Sequence, residues 1–187
     1  MQMDADHELK ERLVAGVDGA FELLVRSYQH RLFAFALSLS GNAADAEEIA
    51  QDAFVRAYRA LRGYDGVRIR ELRLSAWLHQ ITLNVLRNRV RRRRLRIVPL
   101  ESSPEPADRS MEPEAQVERR AQAAELANLV SGLPEHHRNA VVLRCVQGMT
   151  YSEAAAVLGQ PEGTVKANVH RGLLTLRRRA GVLSEVS

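Results

Sequence analysis

The chain has 187 residues and a formal net charge of +4, with 45% hydrophobic and only 5% aromatic residues. This length allows one domain or two small ones with packed cores. Alternating runs of Val, Ile and Thr are nearly absent, so the composition disfavours a β-sheet protein and predicts an all-α fold rich in Ala, Leu and Arg.

Cysteine and hydropathy patterns exclude further classes of protein. The single cysteine, Cys145, cannot form a disulfide within the chain, and its place among Val141, Val142 and Val146 predicts a buried thiol. No apolar run approaches membrane-span length and the acidic N-terminus lacks a signal-peptide core, so we expect a cytoplasmic protein without membrane insertion. The sequence shows no metal-ligand spacing, phosphate loop or catalytic triad, so we expect no cofactor, metal or enzymatic activity.

The first 42 residues predict two helices. A short one covers about residues 6–15 and is broken at Asp18-Gly19. The second carries an apolar stripe at three-four spacing and ends at the turn residues Ser40-Gly41-Asn42. We interpret the stripe as core; it consists of Phe21, Leu24, Val25, Tyr28, Leu32, Phe35 and Leu39.

A third helix, over about residues 43–61, has an unusual outer face. Its inner face is rich in alanine and ends at Leu61. The outer face carries an acidic and aromatic stripe: Asp45, Glu48, Gln51, Asp52, Phe54 and Tyr58. Such a stripe is either a solvated face that suits the helix dipole or a docking surface for a basic partner, and the spacing alone leaves both open.

A loop with Arg68, Arg70 and Arg73 leads into a fourth helix, over about residues 74–96. Its predicted buried stripe is Leu74, Trp77, Leu78, Ile81 and Val85. The opposite side presents donors suited to bases and phosphates: Asn84, Arg87, Asn88 and Arg91. Seven of the ten residues from 87 to 96 are Arg, which favours a polyanionic partner over the alternative of a disordered basic tail.

From Val98 the composition becomes rich in Pro and in acidic residues, which indicates an extended acidic linker. The linker divides the chain into an N-terminal helical domain over residues 1–97, the linker itself over 98–117, and a C-terminal helical domain over 118–187. The second domain begins with a helix that stops at Gly132 and resumes after Pro134. Thr150 and Glu153 then have the spacing of a capping box.

Residues 150–179 predict a helix-turn-helix. Gly159 ends the first helix and Pro161 suits the first turn of the second, whose predicted buried stripe is Val165, Val169, Leu173 and Leu176. The remaining face presents Thr164, Lys166, Ala167, His170 and Arg171. The N-terminal part of such a helix enters the major groove of DNA; the alternative is a solvated amphipathic helix.

These segments, in this order, resemble bacterial extracytoplasmic-function (ECF, group IV) sigma factors of the sigma-70 family. The motifs that carry the resemblance are DAEEIAQDAF at residues 45–54, Ala76-Trp77-Leu78 with Asn84 and the arginines, Leu133-Pro134, and Gly163-Thr164-Val165-Lys166. The resemblance implies sigma region 2 and sigma region 4 as the two domains.

The resemblance also implies a function, partners and site residues. The acidic and aromatic stripe would dock on core RNA polymerase, at the β′ clamp helices, with the β flap as a further contact. The loop from Gly63 to Arg73 would act on the −10 element, where a base is flipped from the opening duplex, and the residues that recognise and melt this element would be Trp77, Asn84, Arg87, Asn88 and Arg91. The −35 element of promoter DNA would be read by Thr164, Lys166, Ala167, His170 and Arg171. An anti-sigma factor is an expected regulator.

The chain departs from the family pattern at one motif, and one other function competes with the sigma factor function. The family commonly has Ser-Arg after the lysine where this chain has Ala167-Asn168, which predicts a weaker phosphate contact. A stand-alone helix-turn-helix transcriptional regulator is the competing function. It would need only the C-terminal half, and it leaves the acidic stripe and the second basic surface unexplained.

Overall fold

The computed structural model describes residues 2–95 and 127–184, and this part of the chain contains only helices and their connections. The N-terminal helices are α1 (Gln2–Ala15), α2 (Val17–Ser40), α3 (Ala43–Leu61), α4 (Gly66–Glu71) and α5 (Leu74–Leu95). In the C-terminal part, residues 127–131 are helical (α6), followed by α7 (Glu135–Val141), a π-helical segment (Val142–Val146), α8 (Tyr151–Leu158) and α9 (Glu162–Ser184). The expected all-α class is confirmed.

Turn chemistry sets the ends of α2 and α3. Gly41 adopts φ 70° after α2, a left-handed conformation that costs little only for glycine. The Asn42 side chain then accepts a hydrogen bond of 3.0 Å from the backbone N–H of Asp45 and caps α3. The predicted bounds of α3 are confirmed, and its alanine-rich inner face is buried against α2 and α5.

The segment between α3 and α5 was expected to be a loop, and this expectation is wrong for residues 66–71. The Asp65 carboxylate accepts from the backbone N–H of Arg68 (2.8 Å) and starts the short helix α4. Ile69 anchors α4 in the core. Arg70 is held by Glu11 of α1 (2.8 Å), so α4 is fastened to the first helix.

The π-helical segment overturns the prediction of a buried Cys145. The backbone N–H of Gln147 donates to the carbonyl of Val142, five residues earlier, which inserts an extra residue into that turn. The extra residue changes which side chains face the core. Val142 and Leu143 are buried, whereas Cys145 and Val146 are exposed.

The buried stripe of α9 also differs from the prediction. Val165 and Val169 are buried and Leu176 is partly buried, as expected, but Leu173 is 45% exposed. Gly172 takes the inward position instead, one helical turn after Val169. A Cβ atom built there would lie 2.6 Å from Cγ2 of Val141 and 3.5 Å from Cβ of His137. Gly172 therefore allows α9 to approach α7 closely.

Residues 127–184 pack directly against α2 and α5, and we call this contact the interdomain interface. Its apolar centre joins Phe35, Leu39, Ala76 and Leu83 from the N-terminal part to Leu143 and Met149, among other buried residues of the C-terminal part. Consequently α5 is buried on a second side that the sequence pattern did not predict.

His79 is fully buried in this interface and lies beside the ring of Phe35, with ring centroids 4.9 Å apart. Its Nδ1–H donates to the carbonyl of Ser75 (2.7 Å), and the side-chain amide of Gln147 lies 3.3 Å from Nε2. Burial lowers the pKa of His79 below its ordinary value, because a charged imidazole would lose hydration. The ring therefore enters the interface uncharged at neutral pH.

Several predictions from the sequence fall outside the described residues. The acidic linker and the domain boundaries at 97/98 and 117/118 lie between residues 96 and 126, as does the start of the helix through Ala121. Among the helices that the structure does describe, none is both long and apolar enough to cross a membrane.

Gly172→Ala should lower the free energy of unfolding by about 1–3 kcal/mol, because the added methyl group overlaps Val141. Gly163→Ala in the same helix is the matched control: no atom lies within 4 Å of a Cβ built there. The control should leave stability unchanged or raise it by up to about 1 kcal/mol. Urea unfolding measures both, and equal stability of the two variants would contradict the close approach of α7 and α9.

Candidate functional site

Local hydrogen bonds build the helix-turn-helix formed by α8 and α9. The predicted capping box is confirmed: the Thr150 N–H donates to the Glu153 carboxylate (2.8 Å), and the Glu153 N–H donates to the Thr150 hydroxyl (3.2 Å). Gly159 ends α8 at φ 64°. The Pro161 carbonyl accepts from Val165 N–H, so Pro161 lies just before α9 and not within its first turn.

The exposed face of α9 carries the predicted DNA contacts. Burial of Val165 and Val169 orients the helix, and Thr164, Lys166, His170 and Arg171 are exposed as a result. Ala167 is half-buried at the edge of this face. Asn168 is buried, and its side-chain amide donates to Gln160 Oε1 (3.4 Å), so it faces the turn between the helices.

Lys166 is held in place at the start of α9. Its ammonium group lies 2.8 Å from the Glu162 carboxylate and 5.4 Å from the centre of the Tyr151 ring. The hydrogen bond to Glu162 raises the pKa of Lys166, so the side chain stays charged. Both contacts are solvent-exposed, and DNA phosphate or guanine can replace the carboxylate.

A second basic surface lies on α5, and we call Asn84, Arg87, Asn88 and Arg91 the α5 strip. Asn84, Arg87 and Arg91 are exposed, whereas Asn88 is half-buried. The Arg87 guanidinium lies 3.3 Å from the Glu135 carboxylate of α7. The strip therefore borders the interdomain interface.

Trp77 lies on the same side of α5 as the α5 strip, two helical turns before Asn84. In the structure it forms a cluster with two further residues, Tyr64 and Arg68. The half-buried Trp77 ring lies beside Tyr64, with centroids 6.1 Å apart, and the Arg68 guanidinium covers Tyr64 at 3.8 Å. This cluster could stack an unpaired base, since aromatic faces and Arg both bind bases without sequence preference. The family resemblance implicated the loop from Gly63 to Arg73 in −10 recognition, but it did not single out Tyr64 or Arg68 within that loop.

The stripe on α3 is only partly exposed, which corrects the prediction of an outer acidic and aromatic face. Glu48, Gln51 and Asp52 are exposed. Asp45 is mostly buried, with 17% of its side chain exposed. Its carboxylate lies 2.9 Å from the guanidinium of Arg89 on α5. Glu48 contacts the same guanidinium at 2.5 Å. One arginine therefore links α3 to α5 and neutralises part of the stripe.

The aromatic members of the stripe face inward. Phe54 is 8% exposed and packs edge-to-face on Phe21, with centroids 6.5 Å apart. Tyr58 is half-buried, and its hydroxyl donates to Asp18 (2.6 Å). Next to Gln51 and Phe54 lies an open groove of about 370 Å³; its other lining residues are Val25, Gln29, His30, Phe33, Glu47 and Ala50. The polar rim and apolar floor of this groove suit a protein partner.

The two helical parts each match a known domain family. Residues 24–96 match Sigma-70 region 2, and residues 123–176 match Sigma-70, region 4. The ECF RNA polymerase sigma factor SigM of Mycobacterium tuberculosis is 34% identical over 183 residues, which cover 96% of this chain and 87% of SigM. The chain belongs to the ECF sigma factors. The resemblance inferred from the sequence motifs is thereby confirmed.

Other similar proteins agree with this assignment. ECF RNA polymerase sigma factor SigE of Mycolicibacterium smegmatis is 36% identical over 163 residues, or 84% of this sigma factor and 60% of SigE. Two solved structures are also similar. CnrH, in complex with the cytosolic domain of CnrY, has a TM-score of 0.71 at 27% identity and covers 98% of this chain and 99% of CnrH. RpoE of Bartonella quintana, in complex with the anti-sigma factor NepR, has a TM-score of 0.68 at 25% identity, with 87% and 97% covered.

Asp45→Lys should destabilise this sigma factor by about 1–3 kcal/mol, because it places an ammonium group against Arg89 in a half-buried site. Asp52→Lys makes the same charge change at an exposed position of the same helix and should shift stability by less than about 0.5 kcal/mol. Thermal or urea unfolding of the two variants measures the difference. Similar losses in both would show that the pairing of Asp45 contributes nothing to the fold.

Proposed function

We propose that this ECF sigma factor binds core RNA polymerase and directs initiation at promoters with a −10 and a −35 element. The observation that carries the proposal is that each matched sigma region presents its own exposed basic surface, the α5 strip in region 2 and the outer face of α9 in region 4. Two separate cationic surfaces on one short chain suit two separate stretches of DNA.

Region 4 would read the −35 element through α9. Its N-terminal turns would enter the major groove, where Lys166, His170 and Arg171 can donate to guanine acceptors or to phosphates and Thr164 can bond to either. Ala167 would contribute only apolar contact, for example with a thymine methyl group. Asn168 is turned toward Gln160, which supports the expectation of a weaker phosphate contact at this point.

Region 2 would bind the −10 element through the α5 strip. Asn84, Arg87, Asn88 and Arg91 would hold the backbone and base edges of the opening DNA. The cluster of Trp77, Tyr64 and Arg68 is our candidate for the site that accepts an unstacked base, because it offers an aromatic face beside a cation.

The groove beside Gln51 and Phe54 and the exposed acids Glu48 and Asp52 would form the docking face for core polymerase, at its β′ clamp helices. We further propose the β flap as the contact of region 4 and an anti-sigma factor as the regulator. The complex of the similar RpoE with NepR supports a regulator of this class.

A stand-alone helix-turn-helix regulator fits the structure less well. It would require only α8 and α9, and it assigns no role to region 2, to the α5 strip or to the groove on α3. The match of residues 24–96 to Sigma-70 region 2 therefore favours the sigma factor function.

The direct test is transcription by bacterial core RNA polymerase from a random promoter pool, with and without the purified protein. We expect new start sites preceded by two shared motifs. Lys166→Ala or Arg171→Ala should weaken selection of the upstream motif by about 1–3 kcal/mol per lost base contact. The exposed Arg12 on α1 provides the control variant Arg12→Ala, which should select the same motifs as the native protein.

No initiation in that assay, together with tight DNA binding by the protein alone, would support the stand-alone regulator instead. Unchanged motif preference in both α9 variants would remove the assignment of the recognition helix.

The docking face is tested by Glu47→Lys, in the lining of the groove, combined with Asp52→Lys. Both side chains are exposed, so the charge reversal should weaken binding to core polymerase strongly while the variant stays folded. Competition with native protein for core enzyme measures the loss. Glu8→Lys with Glu22→Lys makes the same charge change on exposed positions of α1 and α2. Equal competition by the docking variant and this control would show that the acids are not part of the docking face.

A further inference from the structure

The short helix α4 depends on other parts of the chain for its position. It has only six residues, and isolated helices of fewer than about 12 residues are marginally stable in water. Among the helices that the structure describes, α1 is the one that packs most extensively against α4. Leu9 and Leu13 of α1 lie in the same buried core as Ile69 of α4. The first helix therefore supports the segment that carries Arg68.

Two charged side chains of α1 fasten the C-terminal half of α4. The Lys10 ammonium donates to the carbonyls of Arg70 (2.7 Å) and Leu72 (3.4 Å). Carbonyls at the end of a helix have no intrahelical partner, and a cation there is favourable. The Glu11 carboxylate accepts two hydrogen bonds from the Arg70 guanidinium, at 2.8 and 3.1 Å. These bonds lower the pKa of Glu11, so the carboxylate is charged at neutral pH.

Close packing fixes the first turn of α4 against the same helix. A Cβ atom built on Gly66 would lie 3.0 Å from Cγ1 of Val14. Gly66 and Arg70 are four residues apart and therefore share the face of α4 that α1 covers. Val67 and Arg68 are exposed on the other side. Thus α1 holds one face of α4 and leaves the face with Arg68 open to solvent.

The position of α4 sets the geometry of Tyr64, Arg68 and Trp77, which we call the base-accepting cluster. Arg68 extends from α4, Tyr64 precedes this helix, and Trp77 belongs to α5. The Arg68 guanidinium lies 3.8 Å from the centre of the Tyr64 ring only while α4 keeps its place beside α5. Because a cation–ring attraction requires this proximity, a shift of α4 would disassemble the cluster.

The match to Sigma-70 region 2 begins at residue 24, so α1 lies outside the matched residues. We propose that α1 is a positioning element for promoter opening: Lys10 and Glu11 hold α4, and with it the base-accepting cluster, in the arrangement that receives an unstacked base of the −10 element. This inference rests on the proposed function. Both residues act through Arg70 and Leu72 and are positioning residues, not DNA contacts.

Matched double variants of the full-length protein test this role. Lys10→Met with Glu11→Gln removes the polar contacts to α4, whereas Glu8→Gln with Arg12→Met removes an exposed ion pair within α1 (2.7 Å) and changes the charge equally. In the first variant only, we expect hydrogen exchange of the backbone amides of residues 66–72 to become at least about tenfold faster. In transcription from the random promoter pool, its preference for the favoured base of the −10 motif should fall at least about fivefold, with the −35 motif unchanged.

The two readouts separate positioning from folding and from the proposed function. Equal exchange in both variants, unchanged −10 preference in the first, or an equal loss of both motifs would overturn the inference while leaving the sigma factor function intact. If the native protein does not initiate, the proposed function fails, and this inference fails with it.

A covalent link between α1 and α4 provides a rescue. Cysteines at positions 14 and 66 would be close enough for a disulfide, because Cγ1 of Val14 lies 3.0 Å from a Cβ built on Gly66. Val14→Cys with Gly66→Cys is added to the Lys10→Met/Glu11→Gln variant in a Cys145→Ser background. Oxidation should restore the −10 preference and slow amide exchange, and reduction should reverse both. Failure of the disulfide to form, or a formed disulfide without recovery, would overturn the proposal.

Discussion

Burial of α5 on two sides is the constraint on which the rest of the structure depends. Leu74 and Leu78 pack in the core of region 2, while Ala76 and Leu83 meet region 4. Only a narrow face of α5 is left exposed to solvent, and this face carries the exposed residues of the α5 strip. The cations proposed to bind the −10 element therefore lie next to the interdomain interface because a helix buried twice has no other exposed side.

The arginines of α5 differ in burial and in ion pairing because their surroundings differ. Arg89 is largely buried and is neutralised by Asp45 and Glu48, so it joins helices. Arg87 is exposed and pairs with Glu135 of the other region, a contact that solvent weakens. Arg91 is exposed at the far end of the strip. Arginines of one helix thus stabilise the fold, pair across the interface or remain exposed as proposed nucleic-acid contacts, depending on which acidic residues lie near them.

Local signals predicted most of the helices and several of their ends, although the break expected at Asp18-Gly19 is wrong because α2 already begins at Val17. The capping box of Thr150 and Glu153, the left-handed Gly41 and Gly159, and the bounds of α3 each depend on contacts within a few residues. The sigma factor motifs likewise pointed to the correct family, since the order and spacing of these motifs are linear properties of the chain. The exposed positions of Lys166 and Arg171 followed from the three-four spacing of Val165 and Val169, which holds within a single helix.

The errors arose where contacts from distant parts of the chain decide the environment of a side chain. Phe54 is buried because Phe21 lies across from it, and Asp45 is paired because α5 brings Arg89 near. Cys145 is exposed because a π-helical turn rotates it out of the core, and Gly172 takes the inward place expected for Leu173 so that α7 and α9 can approach. The sequence by itself determined the long helices, several of their caps and the sigma family, because these depend on local hydrogen bonds and on residue order. Only the tertiary structure decided which faces are free and that region 4 closes on region 2, because burial is a property of neighbours that the linear pattern does not contain.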